Sequence, residues 1–298
     1  NSNLDLVGYC GKEFPDAKQY LYKHFTFSTI EQHIDYMEEY WKKILNNIPY
    51  DTNFIKEKFY DNELLEKFPS YYRNEAKILN IDNLDTYNHK DVIYSLFERN
   101  YSISKNKIKF VDHHLCHLSH AYESWSKKNL FDTIGVTLDS WGDGRNQTVW
   151  KISKSNYELL ADSNECELAR IYRFITLYLG MMPVQHEYKL MGLAPYAKKE
   201  HSKEVTEILN DIIKLENLKF KHHNRPNDLY SFLSEKLKYY RFDNIARGAQ
   251  EFIEENVVKL FKNIYEQTGI NKFVYSGGLA MNVKVNKLLH EQKFVKDL

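Results

Sequence analysis

The sequence predicts an α/β fold, and three segments carry that prediction. A β-branched run over 133–138 reads as a buried strand. A stretch over 244–267 keeps helical periodicity and stops at Gly269, the residue type that most easily takes the left-handed backbone closing a helix. Phe273-Val274-Tyr275 then reads as a second buried strand, Ser276-Gly277-Gly278 as a tight turn, and 281–292 as a helix.

The other elements follow in chain order. Residues 1–110 are polar, rich in Lys, Asn and Tyr, and mostly helical in pattern. Ser28 followed by Glu31 has capping-box spacing and opens a helix to about residue 47. Residues 91–100 read as another helix, and Ile108-Lys109-Phe110-Val111 as a short strand. The strand over 133–138 meets 147–152 as a hairpin across the turn at 142–146, and 157–161 adds a third antiparallel strand. A helix over 168–180 stops at Gly180, and a loop follows with Pro183 and the stretch 187–196. Residues 202–267 carry helical periodicity with a polar interruption at 222–227.

Composition narrows the functional classes. The 298 residues suffice for one large domain or two ordinary ones. Lys+Arg and Asp+Glu each number 41, so no global field draws in nucleic acid or an anionic membrane. No run approaches the roughly eighteen apolar residues that a membrane span needs, and no signal-peptide pattern opens the sequence. Cys10, Cys116 and Cys166 stand at unrelated spacings, which points to reduced thiols in a cytoplasm and not to a disulfide framework. The opening Asn1-Ser2-Asn3 and an apolar ending without a closing element suggest a piece of a longer protein.

The segment richest in chemistry is Asp112-His113-His114-Leu115-Cys116-His117-Leu118-Ser119-His120. His113 and His117 are four apart, which on a helix places both imidazoles on one face, a common way to hold a divalent ion. His120 lies near the same face and is a third ligand or a supporting partner. His114 points aside, as a substrate contact or a packing residue, and Cys116 reads as a small buried residue. Asp139-Ser140-Trp141-Gly142-Asp143-Gly144 ends the predicted strand. There Asp139 can supply a carboxylate ligand, while Gly142 and Gly144 allow close approach of a phosphate or simply make a hairpin turn. Gly277 and Gly278 precede a helix whose free N–H groups can face a phosphate or ribose. Asn282 and Asn286 share a face at its start. This is not the dinucleotide fingerprint, because the third glycine is absent. Glu187 and Lys189 concentrate charge in an apolar stretch, as a base and a phosphate partner or as an ordinary ion pair. Imidazole plus carboxylate suits zinc, iron or manganese.

Four blocks taken together resemble the carbamoyltransferases of the NodU/CmcH type. They are Asp112-His113-His114-Leu115 with His117, Ala121 and Tyr122; Leu138-Asp139-Ser140-Trp141-Gly142-Asp143-Gly144; Leu177-Tyr178-Leu179-Gly180 with Glu187-Tyr188-Lys189-Leu190-Met191-Gly192-Leu193-Ala194-Pro195-Tyr196; and Ser276-Gly277-Gly278-Leu279-Ala280-Met281-Asn282-Val283 with Asn286. They cover 112–290, whereas 1–110 match only loosely.

The resemblance implies an actin/hexokinase/Hsp70-like fold, two RNase-H-like halves closing on a nucleotide, here incomplete and with helical insertions. On that basis 1–110 form the helix-rich N-terminal part of the first lobe. Residues 111–165 are its metal- and phosphate-binding core, and 166–298 the second lobe. The resemblance further implies transfer of a carbamoyl group from carbamoyl-adenylate, made from carbamoyl phosphate and ATP by a YrdC-like domain, to a hydroxyl of a sugar or natural product. His113, His117 and Asp139 would hold the metal, iron in the family. Gly142, Gly144, Gly277, Gly278 and Asn282 would line the nucleotide. His114, Lys189 and Glu187 would be the catalytic groups, with His114 before Glu187 as base. The sequence departs from the family pattern in lacking its opening strand, the acidic motif beyond the Gly-Gly helix and the YrdC-like domain, and in carrying His120 at a position usually held by a small residue. A tRNA threonylcarbamoyl-transferase-like enzyme shares the fold and the histidines but lacks the Glu187–Tyr196 block, and charge neutrality argues against tRNA. A non-catalytic nucleotide-binding module and a sugar kinase are further alternatives.

Overall fold

A computed structural model describes residues 7–9, 89–125, 132–153, 156–183 and 185–298. The helix expected after the Ser28 capping pattern lies outside these residues. Among the described residues, two compact units divide between His113 and His114. In the first, β1 (Val7–Tyr9) pairs in parallel with β2 (Ile108–Phe110). The sequence reading placed no strand so early. Helix α1 spans His89–Tyr101 and brings Tyr94 edge-on to Phe110, ring centroids 5.4 Å apart.

The second unit is built on a four-stranded sheet in the order β5-β4-β3-β8. Strand β3 (Thr133–Gly142) runs antiparallel to β4 (Arg145–Ser153), which runs antiparallel to β5 (Asn156–Ser163). On its other side β3 takes β8 (Phe273–Ser276) in parallel. A strand from 111–165 and one from 166–298 thus lie side by side in one sheet. Almost every residue of β3 is buried, as expected of a strand covered on both faces. The β3–β4 turn is Asp143-Gly144 with φ of 48° and 77°, two left-handed residues in the manner of a type I′ hairpin.

Each face of the sheet has its own helix, and the alternation of β8 shows which. Val274 joins Leu118, Tyr122 and Ile152 in a core cluster with α2 (His113–Ser124). Its neighbours Phe273 and Tyr275 point the other way, their ring centroids 5.0 and 5.4 Å from that of Phe261 on α7 (Phe242–Thr268). Gly269 closes α7 with φ of 69°, as expected. Around α7 pack α3 (Leu168–Tyr178), α4 (Glu187–Leu193) and α5 (Lys199–Asn210).

Two readings of the sequence change here. The stretch expected as a loop at 187–193 is helix α4, anchored by the buried Leu190 and followed by a 3-10 turn at Ala194–Tyr196. The supposed helical run over 202–267 is interrupted by a hairpin, β6 (Ile213–Glu216) and β7 (Lys219–His222), before α6 (Leu229–Leu237). Its alternation is clear once seen: Ile213, Leu215 and Phe220 are buried and Lys214, Glu216, Lys219 and Lys221 exposed. The Gln147 side chain fastens this hairpin to the main sheet, donating to the Leu218 carbonyl at 2.7 Å and accepting from the Phe220 N–H at 3.0 Å. Among the described residues no helix is long and apolar enough to cross a membrane.

Helix α2 can lie this close to β3 because residue 135 is glycine. A Cβ there would collide with the Leu118 side chain. Gly135→Ala should therefore destabilise the protein by about 1–3 kcal/mol through overpacking, and Leu118→Ala added to it should recover part of the loss in a denaturant titration.

Candidate metal centre

Two periodicities meet where α2 crosses β3. Residues 135, 137 and 139 share one face of the strand, while α2 turns His114 and Leu118 toward it. Leu118 thus meets Gly135, His114 meets Thr137, and His117 meets Asp139. His113, one helical turn before His117, completes a group with Asp139 whose ligand atoms all lie within 4.8 Å of one another. His117 Nε2 is 3.3 Å from Asp139 Oδ2. His120 is exposed and is not a member. Two imidazole nitrogens and a carboxylate oxygen form a donor set that fits a divalent transition metal.

His114 is fully buried. The Arg145 carbonyl can only accept, so His114 Nε2 donates to it at 3.2 Å. In a neutral ring, Nδ1 then accepts from the Thr137 hydroxyl at 2.7 Å. Thr137 accepts in turn from Thr148 at 2.6 Å, and Thr148 from the Trp150 indole N–H at 2.8 Å. This sets the chain of donors in one direction and ties α2 to two strands. Both ring nitrogens are thus engaged within the protein, and neither faces solvent.

The carboxylate is held with equal care. Leu138 pairs with Gln147 and Gly142 with Arg145, so residues 139–141 stand opposite Asn146 alone. This bulge removes the segment from the regular ladder. Ser140 N–H donates to Asp139 Oδ1 at 2.7 Å, and the Ser140 carbonyl accepts from Arg170 Nε at 3.1 Å. The Ser140 hydroxyl accepts from an Arg173 terminal nitrogen at 2.9 Å. The Arg170 guanidinium also lies over the Trp141 ring, 4.5 Å from its centroid.

Gly278 approaches from β8. A Cβ there would sit 3.0 Å from Asp139 Oδ1, while one on Gly277, whose φ is 95°, would collide with the Leu138 carbonyl. The close backbone approach that made this pair notable is directed in part at β3 itself. Asn282 caps helix α8 (Val283–His290), accepting from Val285 N–H at 3.2 Å, and its amide pairs with that of Gln250 at 3.0 and 3.1 Å. Gly142 and Gly144 flank and form the β3–β4 turn. Glu187 is half-buried and faces Arg173, 3.4 Å away, while Lys189 is exposed on α4 beside Tyr188.

The sequence reading missed Arg170 and Arg173. Their signal was present: two cations three apart in the otherwise apolar helix α3, hence on one face. It also missed the charges behind them. Glu167, fully buried, accepts from His222 Nε2 and Arg225 Nε at 3.0 Å each, with Arg170 3.7 Å away. Burial works to raise the Glu167 carboxyl, but the His222 hydrogen bond and the Arg170 and Arg225 charges outweigh it and hold it below its ordinary value.

A mixed α/β unit with two imidazoles and a carboxylate gathered at one point defines a candidate metal-centred class of protein. The chain belongs to the carbamoyltransferase N-terminus family, whose pattern matches residues 2–298. It is similar to an uncharacterised protein of Methanocaldococcus jannaschii, 24% identical over 99% of this chain and 51% of that one. It is also similar to the nodulation protein NolNO of Sinorhizobium fredii, 25% identical over 66% of this chain and 29% of the relative. The motif-based resemblance to NodU/CmcH-type carbamoyltransferases is thereby borne out. The chain spans about half or less of the length of these relatives. Among solved structures, it resembles full-length HypF in its phosphate- and nucleotide-bound form, with a TM-score of 0.38 and 15% identity over 82% of this chain and 45% of that one.

Glu167→Gln would leave Arg170 and Arg225 buried beside a neutral amide, and should cost about 3–5 kcal/mol. The sign with pH follows from the depressed carboxyl. Its contribution is complete above the unfolded carboxyl range, about 4.3, and is lost as pH falls through the lower folded value. Denaturant curves of wild type and variant should be well separated at neutral pH and converge in acid.

Proposed function

We propose that this chain supplies the metal-binding part of an O-carbamoyltransferase. The observation that carries the reading is the convergence of His113, His117 and Asp139 in a chain of this family. The order β5-β4-β3-β8, with two antiparallel pairings and one parallel, supports an RNase-H-like half of an actin/hexokinase/Hsp70-like fold. The donor in this reading is carbamoyl-adenylate, made from carbamoyl phosphate and ATP by a YrdC-like domain. The acceptor is a hydroxyl of a sugar or natural product.

His113, His117 and Asp139 would hold the ion, iron in this reading, and a divalent ion there would supply Lewis acidity. Gly278, exposed and without a side chain beside Asp139, leaves an approach for the nucleotide. Gly277 and Asn282 shape its rim, and Gly142 and Gly144, at the β3–β4 turn, line the nucleotide in this reading. The acceptor oxygen bonds to the carbamoyl carbon, the carbon–oxygen bond to phosphate breaks with its electron pair leaving on AMP, and the hydroxyl proton passes to a base. Glu187 fits the base better than His114. It is partly exposed and linked to Asp139 through Arg173 and Ser140, whereas both ring nitrogens of His114 are committed. Lys189, exposed nearby in sequence, provides a cation for phosphate.

Anaerobic loading with iron(II) should give about one metal per chain, since the donors converge on one point. His113→Ala, His117→Ala and Asp139→Asn should lose it while keeping the wild-type circular dichroism. Full-length protein given carbamoyl phosphate, ATP and a panel of sugars should form a carbamate ester with AMP, and the same substitutions should abolish it. Wild-type protein that binds no divalent metal would refute the reading.

A further inference from the structure

We infer that Arg173 and Arg170 are positioning residues that orient the Asp139 carboxylate by fixing Ser140, an inference that rests on the metal reading of His113, His117 and Asp139. The bulge between Leu138 and Gly142 deprives residues 139–141 of regular strand partners. An unpaired segment in a buried place must find other partners for its polar groups. Ser140 is buried, and each of its polar groups is taken. Its N–H holds Asp139 Oδ1 at 2.7 Å, its carbonyl receives Arg170 at 3.1 Å, and its hydroxyl receives Arg173 at 2.9 Å. The first of these bonds aims the carboxylate, and the other two keep Ser140 from turning. With Oδ1 bound to Ser140, Oδ2 is the oxygen that faces His117.

Stability alone does not favour this construction. A cation as buried as Arg170 is costly, and a well-packed apolar side chain of similar volume is often as stable or more so. Its charge is offset by Glu167, which is held in turn by His222 and Arg225, so two further residues contribute to keeping one guanidinium against Ser140 and Trp141. Arg173 has a separate partner, Glu187 on α4. Two independently anchored guanidinium groups thus converge on the residue next to a metal ligand, as partners that orient such ligands do.

The test is a cobalt(II) titration of the purified protein, read by d–d absorption, with the melting temperature of the metal-free protein measured alongside. Arg173→Met should weaken cobalt(II) binding roughly 10–100-fold and alter the absorption band, with little change in metal-free melting. Arg173→Lys, which retains a donor for the Ser140 hydroxyl, should restore much of the affinity. Ser140→Ala removes only the acceptor of Arg173 and should reproduce the loss, so the inference does not hang on one variant's folding. Arg170→Lys should shift the band in the same sense. If Asp139→Asn abolishes binding while Arg173→Met and Ser140→Ala bind cobalt(II) as wild type does, the positioning role is overturned and the metal reading stands. If wild-type protein binds no cobalt(II), both fall.

Discussion

The seating of one helix on one strand is the constraint from which the rest follows. Helix α2 reaches β3 because Gly135 leaves room for Leu118, and it is kept in register by His114 against Thr137. Strand period 2 and helix period 3.6 coincide over this short stretch, and the coincidence delivers His117 to Asp139. None of the three candidate ligands sets this geometry. Their neighbours do: a glycine, a leucine and a buried histidine that the sequence alone would not rank above the ligands.

The polar groups beneath the centre form two systems. One passes through Trp150, Thr148, Thr137 and His114 to the Arg145 carbonyl and belongs to the helix. The other gathers His222, Arg225, Glu167 and Arg170 behind Ser140 and belongs to the strand end. Both are largely buried, where a missing partner costs far more than in water. The β6–β7 hairpin enters the second system through His222, which explains why an excursion between helices is tied so firmly to the sheet by Gln147 and Ser163.

How far the sequence discloses this depends on the range of the signal. The hairpin at Asp143-Gly144, the strand at β8 and the end of α7 at Gly269 are local matters of turn chemistry and periodicity, and they were legible. So was the pairing of His113 with His117, since their spacing is a property of a single helix. The β6–β7 hairpin was hidden because four-residue strands fall inside a window that also admits helical periodicity. Helix α4 was hidden because Pro183, Gly192 and Pro195 read as loop punctuation, while the burial of Leu190 that secures the helix is tertiary. Arg170 and Arg173 show the deeper limit. Their partners lie about thirty residues away in sequence, opposite a bulge that no pattern in β3 announces. Gly277 carries the converse lesson, because a glycine that suggests a ligand loop is required in any case by the Leu138 carbonyl.

The tip of the β3–β4 hairpin has one more consequence. Exposed two-residue tips are ordinarily where chains accept added residues without harm. Here the residue just after the tip, Arg145, lends its carbonyl to His114. Its placement is set by a connection only Asp143 and Gly144 long. Lengthening that connection would slide the carbonyl away from the imidazole and loosen the helix that carries both candidate histidine ligands. A surface feature that looks expendable is therefore bound to the interior by its length, and relatives should vary there in residue type more readily than in residue number.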